Sequence, residues 1–265
     1  MNLFEKIIYS LQKTMETPKP FGWFHLLWIS LTIISITILY LLRNKYNEKQ
    51  LKIVLGIYGI VALILEITKQ IIWSFNYDGN IITWDYQWYA APFQLCTTPI
   101  YVSLICLFLK DNKIRKALLS YISFVTILGS FLTIIIPDSC FVETIEVNIH
   151  TMWLHCGSFV LSVYLLINEI KPTKENLKNA FSIFLIFVGI AEILNIFIYN
   201  IGILNGEEFN MFYISPYFES SLPVFNTIQT LVPFIIFLLI YILAIFLGSL
   251  FIYFITKLFT KKVLN

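Results

Sequence analysis

Cys96 and His155 are the two side chains in this sequence whose types fit covalent chemistry on a buried substrate. Acyl transfer needs a nucleophile, a base within hydrogen-bond reach and donors aimed at the developing oxyanion. A thiol becomes nucleophilic once a neighbour stabilises its anion, and an imidazole can take its proton. Lys69 or Gln94 would favour the thiolate, and Glu192 would orient the imidazole as the third member of a triad does. Pro99, three residues beyond Cys96, removes a helical hydrogen bond and can bend the chain there. Spacing alone does not single out this pair, because one Cys and one His on different helices recur by chance. His150 competes for the part of base; five residues before His155, it falls on another face of the same helix. The three His lie on two segments without ligand spacing, and the four Cys (96, 106, 140 and 156) form no CxxC pair, so no metal site is expected. Nucleotide and haem motifs are also missing from the sequence, so the expectation is an activity without a cofactor.

The elements that must position these residues are membrane helices. Apolar residues make up 58% of the chain and charged residues 13%, well below the roughly 25% charged of an ordinary soluble domain. A net charge of +2 provides no basic field for nucleic acid. Seven apolar stretches approach the ~20 residues that cross a hydrocarbon layer. They run over approximately 21–42, 52–75, 92–109, 115–136, 147–168, 178–200 and 223–256. The fold expected is therefore all-α: a polytopic bundle of seven transmembrane helices over 21–265. Residues 1–16 precede it, with Leu3, Phe4, Ile7, Ile8 and Leu11 at helical spacing among polar residues. They read as an interfacial amphipathic helix and not as a cleavable signal.

Loop charge orients the bundle. Arg43, Lys45, Lys49 and Lys52 follow span one; Lys110, Lys113, Arg115 and Lys116 follow span three. Lys171, Lys174 and Lys178 follow span five, and Lys257, Lys261 and Lys262 end span seven. The alternate loops 76–91, 137–147 and 201–222 carry no Lys or Arg, but hold Asp78, Asp85, Asp138, Glu143, Glu146, Glu207, Glu208 and Glu219. The positive-inside rule then puts the N-terminus outside and the C-terminus in the cytoplasm of a multi-pass cell-membrane protein.

Ionisable groups within a span are costly, and here they share one depth. Counted at 1.5 Å per residue from the outer helix ends, His25 and Cys96 lie ~6 Å down, Lys69 ~9 Å, His155 and Glu192 ~12 Å and Glu66 ~14 Å. Gln94, Asn195 and Gln229 fall in the same outer layer, whereas the inner halves of the spans carry no ionisable group. Glu66 and Lys69, three residues apart on one helix, could simply neutralise each other. For His25 alone, a helix-end role is the simpler reading.

At these residues the sequence resembles the YwaF-type integral membrane proteins of Gram-positive bacteria. The resemblance is carried by FGWFHLL around His25, LEITKQIIW with Glu66 and Lys69, and APFQLCTTP around Cys96. WLHCG around His155 and FNMFYISP from Asn210 to Pro216 complete it. Gln94 stands where that family usually has an apolar residue or His. The family looks distantly related to an animal transmembrane acyltransferase acting on phospholipids, and to membrane hydrolases of fatty-acid esters. The resemblance implies an intramembrane nucleophile, Cys96, and a base, His155; because the hydrolases use Thr, Thr97 is a second candidate nucleophile. It also implies a membrane lipid or other long-chain acyl compound as substrate. Three readings follow: an acyltransferase or acyl-ester hydrolase of the outer leaflet, a small-molecule carrier, or a seven-span protein without chemistry. A carrier would bind near the midplane, usually between repeats, which this sequence lacks. In the third reading the polar layer is packing glue.

Overall fold

The computed structural model describes residues 2–77, 81–137 and 140–263, with side chains as far as residue 259. Asp78 and Asp138 of the acidic loops, and the side chains of Lys261 and Lys262, lie outside the described residues. The described residues are mostly helical. Helix α1 is Leu3–Leu11, α2 Trp23–Leu41, α3 Glu48–Ile72, α4 Thr98–Phe108 and α5 Lys113–Tyr121. A π-helical turn, Ile122–Thr126, joins α5 to α6 (Ile127–Ile135); α7 is Ile145–Asn168, α8 Lys174–Asn200, α9 Phe225–Leu231 and α10 Phe234–Val263. Strands β1 (Phe75–Tyr77) and β2 (Ile82–Trp84) pair antiparallel, with Phe75 opposite Trp84.

Six of these helical stretches are long and apolar enough to cross a membrane: α2, α3, α5 through α6, α7, α8 and α10. The chain is a multi-pass membrane protein. Helices starting at the end away from the hairpin carry side-chain caps that satisfy otherwise orphan N–H groups. Asn47 accepts from Gln50 N at 3.0 Å, Asn112 from Arg115 N at 2.9 Å and Thr173 from Asn176 N at 3.2 Å. At the same end Arg115, only 1% exposed, holds both oxygens of Glu48 at 2.7 Å. Tyr46 donates to Glu169 beside it. Burial, and then the carboxylate it donates to, push the Tyr46 phenol well above its usual range, so it stays a neutral donor.

Two spans differ in shape from the sequence expectation. The stretch 92–109 is helical only from Thr98, an 11-residue helix. Ahead of it, Gln94 N donates to Thr97 Oγ1 at 2.9 Å and Thr97 Oγ1 to Gln94 O at 2.9 Å, closing a tight turn in place of a helical one. Pro99 then sits in the first turn of α4, where its missing N–H costs nothing. The stretch 223–256 is two helices, because Pro233 forces Val232 into extended backbone between α9 and α10.

The segment α5–π turn–α6 and helix α7 form the enclosed centre; α2 and α10 turn most of their surface outward, to lipid. Close approach is bought with glycine where α3 meets α4 and α7. A Cβ at Gly59 would stand 2.6 Å from Ser103 Oγ, and one at Gly157 would stand 3.0 Å from the Tyr58 ring. The π turn widens the helix and frees backbone carbonyls. Hydroxyls take them up: Thr126 and Ser162 both donate to Ile122 O, at 2.9 and 2.8 Å, and Ser123 to Leu119 O at 2.9 Å.

Helix α1 is closed at its start by a capping box between Asn2 and Glu5. It buries Ile8 and leans on the hairpin through Phe4 against Phe75, 5.3 Å between ring centroids. Residues 13–15 then bond to 143–145, with Met15 N donating to Glu143 O at 2.8 Å and Ile145 N to Lys13 O at 3.0 Å.

Candidate functional site

The polar layer resolves into two assemblies and a few separate groups. The first is ionic and lies between α3 and α7. Glu66, 2% exposed, takes Lys69 Nζ at 2.8 Å and Gln70 Nε2 at 2.8 Å on one oxygen. His150 Nε2 donates to its other oxygen at 2.7 Å. Helical spacing explains the first two contacts, since residues three and four positions on lie on the side of Glu66. The third crosses helices and closes α3 onto the second turn of α7. Gln70 extends the network outward, donating to Ala90 O at 2.7 Å and accepting from Tyr86 Oη at 2.8 Å. A carboxylate and an ammonium buried together cancel in charge, and the remaining donors fill the lone pairs, which is what makes a buried pair tolerable.

The second assembly is built from amides and holds a loop. Gln94 donates to Asn210 O at 2.9 Å and accepts from Phe212 N at 2.8 Å. Asn195 of α8 donates to Met211 O at 3.1 Å and accepts from Met211 N at 2.7 Å. Asn210 folds the loop on itself, accepting from Ser215 N at 2.8 Å and donating to Glu219 O at 3.0 Å. Gln229 of α9 accepts from Ser220 N at 2.6 Å and donates to Phe218 O at 3.1 Å. The segment Met211–Ser215 is thereby inserted into the bundle, with Met211, Phe212, Ile214 and Ser215 fully enclosed. Phe212 and Tyr213 both hold left-handed backbone, at φ of 61° and 59°. Such strain persists only where surroundings over-determine it, and the amides provide that.

His25 belongs to neither assembly. Its Nδ1 accepts from Phe21 N at 2.9 Å, so its Nε2 carries the proton and donates to Ile134 O at 2.8 Å. The imidazole ties the start of α2 to the last turn of α6.

Cys96 is half-buried in the irregular segment before α4. Thr97 beside it has its hydroxyl engaged by Gln94 on both sides, as donor and as acceptor. His155 is buried on the face of α7 that it shares with Ser158 and Ser162 by helical spacing. Ser162 meets the π turn, and Ser158 lies 3.5 Å from Thr126 at its end. Its Nδ1 has no hydrogen-bond partner among the described residues, and neither does Glu192 Oε1 on α8. The orienting bond expected between Glu192 and His155 is not formed. Tyr121, the last residue of α5 before the π turn, bonds Thr98 Oγ1 at 2.6 Å.

Of the residues the sequence singled out, the structure brings together Glu66, Lys69 and His150, and separately Gln94, Asn195 and Asn210. Sequence reasoning overlooked Gln70, Tyr86 and the π turn. Gln70 carried a signal, being four residues from Glu66; Tyr86 and the π turn carried none.

A family model for the TMEM164 family, a family of transmembrane proteins, matches residues 20–256. No curated protein and no solved structure matches the chain. With nearly its whole length covered, the chain belongs to the TMEM164 family.

Proposed function

We propose that this protein is a lipid acyltransferase or acyl-ester hydrolase of the outer leaflet, with Cys96 as nucleophile and His155 as base. The observation that carries the reading is the buried, unpartnered Nδ1 of His155. A buried polar atom left unsatisfied costs about 1–3 kcal/mol and calls for an explanation, of which a proton-transfer role is one. Supporting it is the position of that thiol just ahead of the α4 N-terminus, whose dipole favours an anion. In this scheme His155 takes the thiol proton as sulfur attacks the ester carbonyl. The carbon–oxygen ester bond breaks, and the leaving alkoxide collects the proton from His155. Water or an acceptor hydroxyl then cleaves the thioester. Glu66 with Lys69 and His150 set the electrostatics beside the thiol, and Gln94, Asn195 and Asn210 hold the loop that roofs the site.

The topology that goes with this reading has seven spans in one domain over 21–265, the third being the short α4 extended by residues 92–97. The N-terminus is outside, the C-terminus is in the cytoplasm of the cell membrane, and α1 lies in the outer interface. The exposed Leu3, Phe4 and Ile7 support that place for α1.

One observation favours a second reading, a seven-span protein without chemistry. Glu66, Gln94, Asn195 and His25 are all satisfied by protein partners, as packing glue would be. A single experiment separates the two. Purified protein is incubated with a phosphatidylcholine carrying an alkynyl palmitoyl chain, and hydroxylamine-sensitive label is sought on Cys96. The enzyme reading expects label that disappears in Cys96→Ala and falls sharply in His155→Ala. Label that persists in Cys96→Ala refutes the nucleophile, and no label on any residue favours the packing reading.

A further inference from the structure

Along the lipid-facing side of α3 runs a cavity of about 340 Å³. One wall is the α3 stripe Leu63, Ile67 and Ile71, set at helical spacing; the other is Trp84 of β2 with Pro92 and Tyr101 from the Cys96 segment and α4. From Leu63 to Ser74 it extends ~16 Å at 1.5 Å per residue, about one leaflet of a ~30 Å hydrocarbon layer. Its mouth is exposed, with Ile67 at 51%. Glu66 and Gln70 line its floor with their polar atoms already bonded inside the protein, so the surface it presents is apolar.

We infer that this groove is the lateral entry and binding site for one acyl chain of an outer-leaflet glycerophospholipid. The inference rests on the acyl-transfer reading above and names the route by which substrate reaches the nucleophile. Two features select this occupant. At membrane depth the groove meets lipid and not water, so its apolar walls match a hydrocarbon chain. Its length matches a chain of one leaflet. The groove also leads to the right place. Pro92 and Tyr101 flank Cys96 in sequence and are joined by the Tyr101 hydroxyl to Pro92 O.

The test uses the full chain in phosphatidylcholine vesicles containing a phosphatidylcholine with a diazirine on its palmitoyl chain. Illumination is followed by peptide mapping, in Cys96→Ala as well as in the unmodified protein, so that the map does not depend on turnover. Cross-links are expected to concentrate on Leu63–Phe75 and Trp84, several-fold above the equally exposed α2 and α10. Ile67→Trp fills the mouth without touching the core, and Leu243→Trp on exposed α10 is its control. Ile67→Trp should slow palmitoyl transfer to Cys96 about tenfold, equivalent to roughly 1.4 kcal/mol. It should leave transfer from a hexanoyl analogue nearly unchanged, and Leu243→Trp should alter neither. Cross-links spread evenly over α2, α3 and α10, or an Ile67→Trp that slows both chain lengths equally, overturns the inference. The two readings fail separately. Cross-links in the groove without acylation of Cys96 leave the binding site standing and remove the nucleophile. Acylation of Cys96 with cross-links elsewhere does the reverse.

Discussion

Replacing Glu66 by Ala should be among the most damaging single changes in this protein. The carboxylate takes three donors, Lys69 at 2.8 Å, Gln70 at 2.8 Å and His150 at 2.7 Å, in a site where its side chain is 3% exposed. Its loss strands Lys69, itself only 12% exposed, without a counter-charge, and leaves the buried His150 N–H without an acceptor. Gln70 keeps Ala90 and Tyr86 and suffers less. Removing one partner of a buried pair costs about 3–5 kcal/mol, because the cost is that of the charge left behind. At roughly 2–4 °C per kcal/mol for chains approaching this length, the unfolding midpoint in detergent should fall by about 6–20 °C. Glu66→Gln keeps one acceptor and should lose about half as much. The triple change Glu66→Leu, Lys69→Met, His150→Leu removes every member at once, and should recover most of the loss, since apolar replacement of a whole buried set is often neutral. A midpoint within 2 °C of the parent for Glu66→Ala, a scale set by about 1 kcal/mol, would refute the argument. So would a triple variant no more stable than the single one.

Other consequences can be checked alongside. Gln94→Ala removes both bonds to the inserted loop and leaves Phe212 N unpaired, a cost of about 2–4 kcal/mol; hydrogen exchange at Met211–Ser215 should accelerate well before the rest of the bundle opens. Gly59→Ala pushes a methyl against Ser103 Oγ and should cost about 1–3 kcal/mol by overpacking, and adding Ser103→Ala should restore at least half of it in the same thermal assay. Arg115→Lys exchanges a two-point grip on half-exposed Glu48 for a single contact; a loss of about 0.5–2 kcal/mol is expected, read as a lower unfolding midpoint.

What the sequence determined by itself is what the bilayer dictates locally. Without water in the hydrocarbon layer each crossing segment must satisfy its own backbone, so apolar stretches become helices and their lengths follow the membrane thickness. For the same reason the rare ionisable residues in those stretches stood out as a layer. Even the break at Pro233 was written locally, in a residue that cannot continue a helix through its own position, although the long apolar run disguised it. Local, too, was the pairing of Glu66 with Lys69, since both lie on one turn of one helix.

Tertiary structure decided which members of the layer meet. His150 reaches Glu66 across 84 residues, and Phe212 reaches Gln94 across 118, through contacts that depend on how each helix is rotated about its axis. Depth counted along a helix says nothing of that rotation. Gln94 and Asn195, in the same outer layer as Cys96, bond the backbone of the inserted loop, and Glu192 makes no bond to the imidazole it was expected to orient. Of the two imidazoles on α7, it is His150 that bonds Glu66. Five residues on one helix separate them by more than a third of a turn, and only the packing of α7 against α3 selects the one that faces the carboxylate.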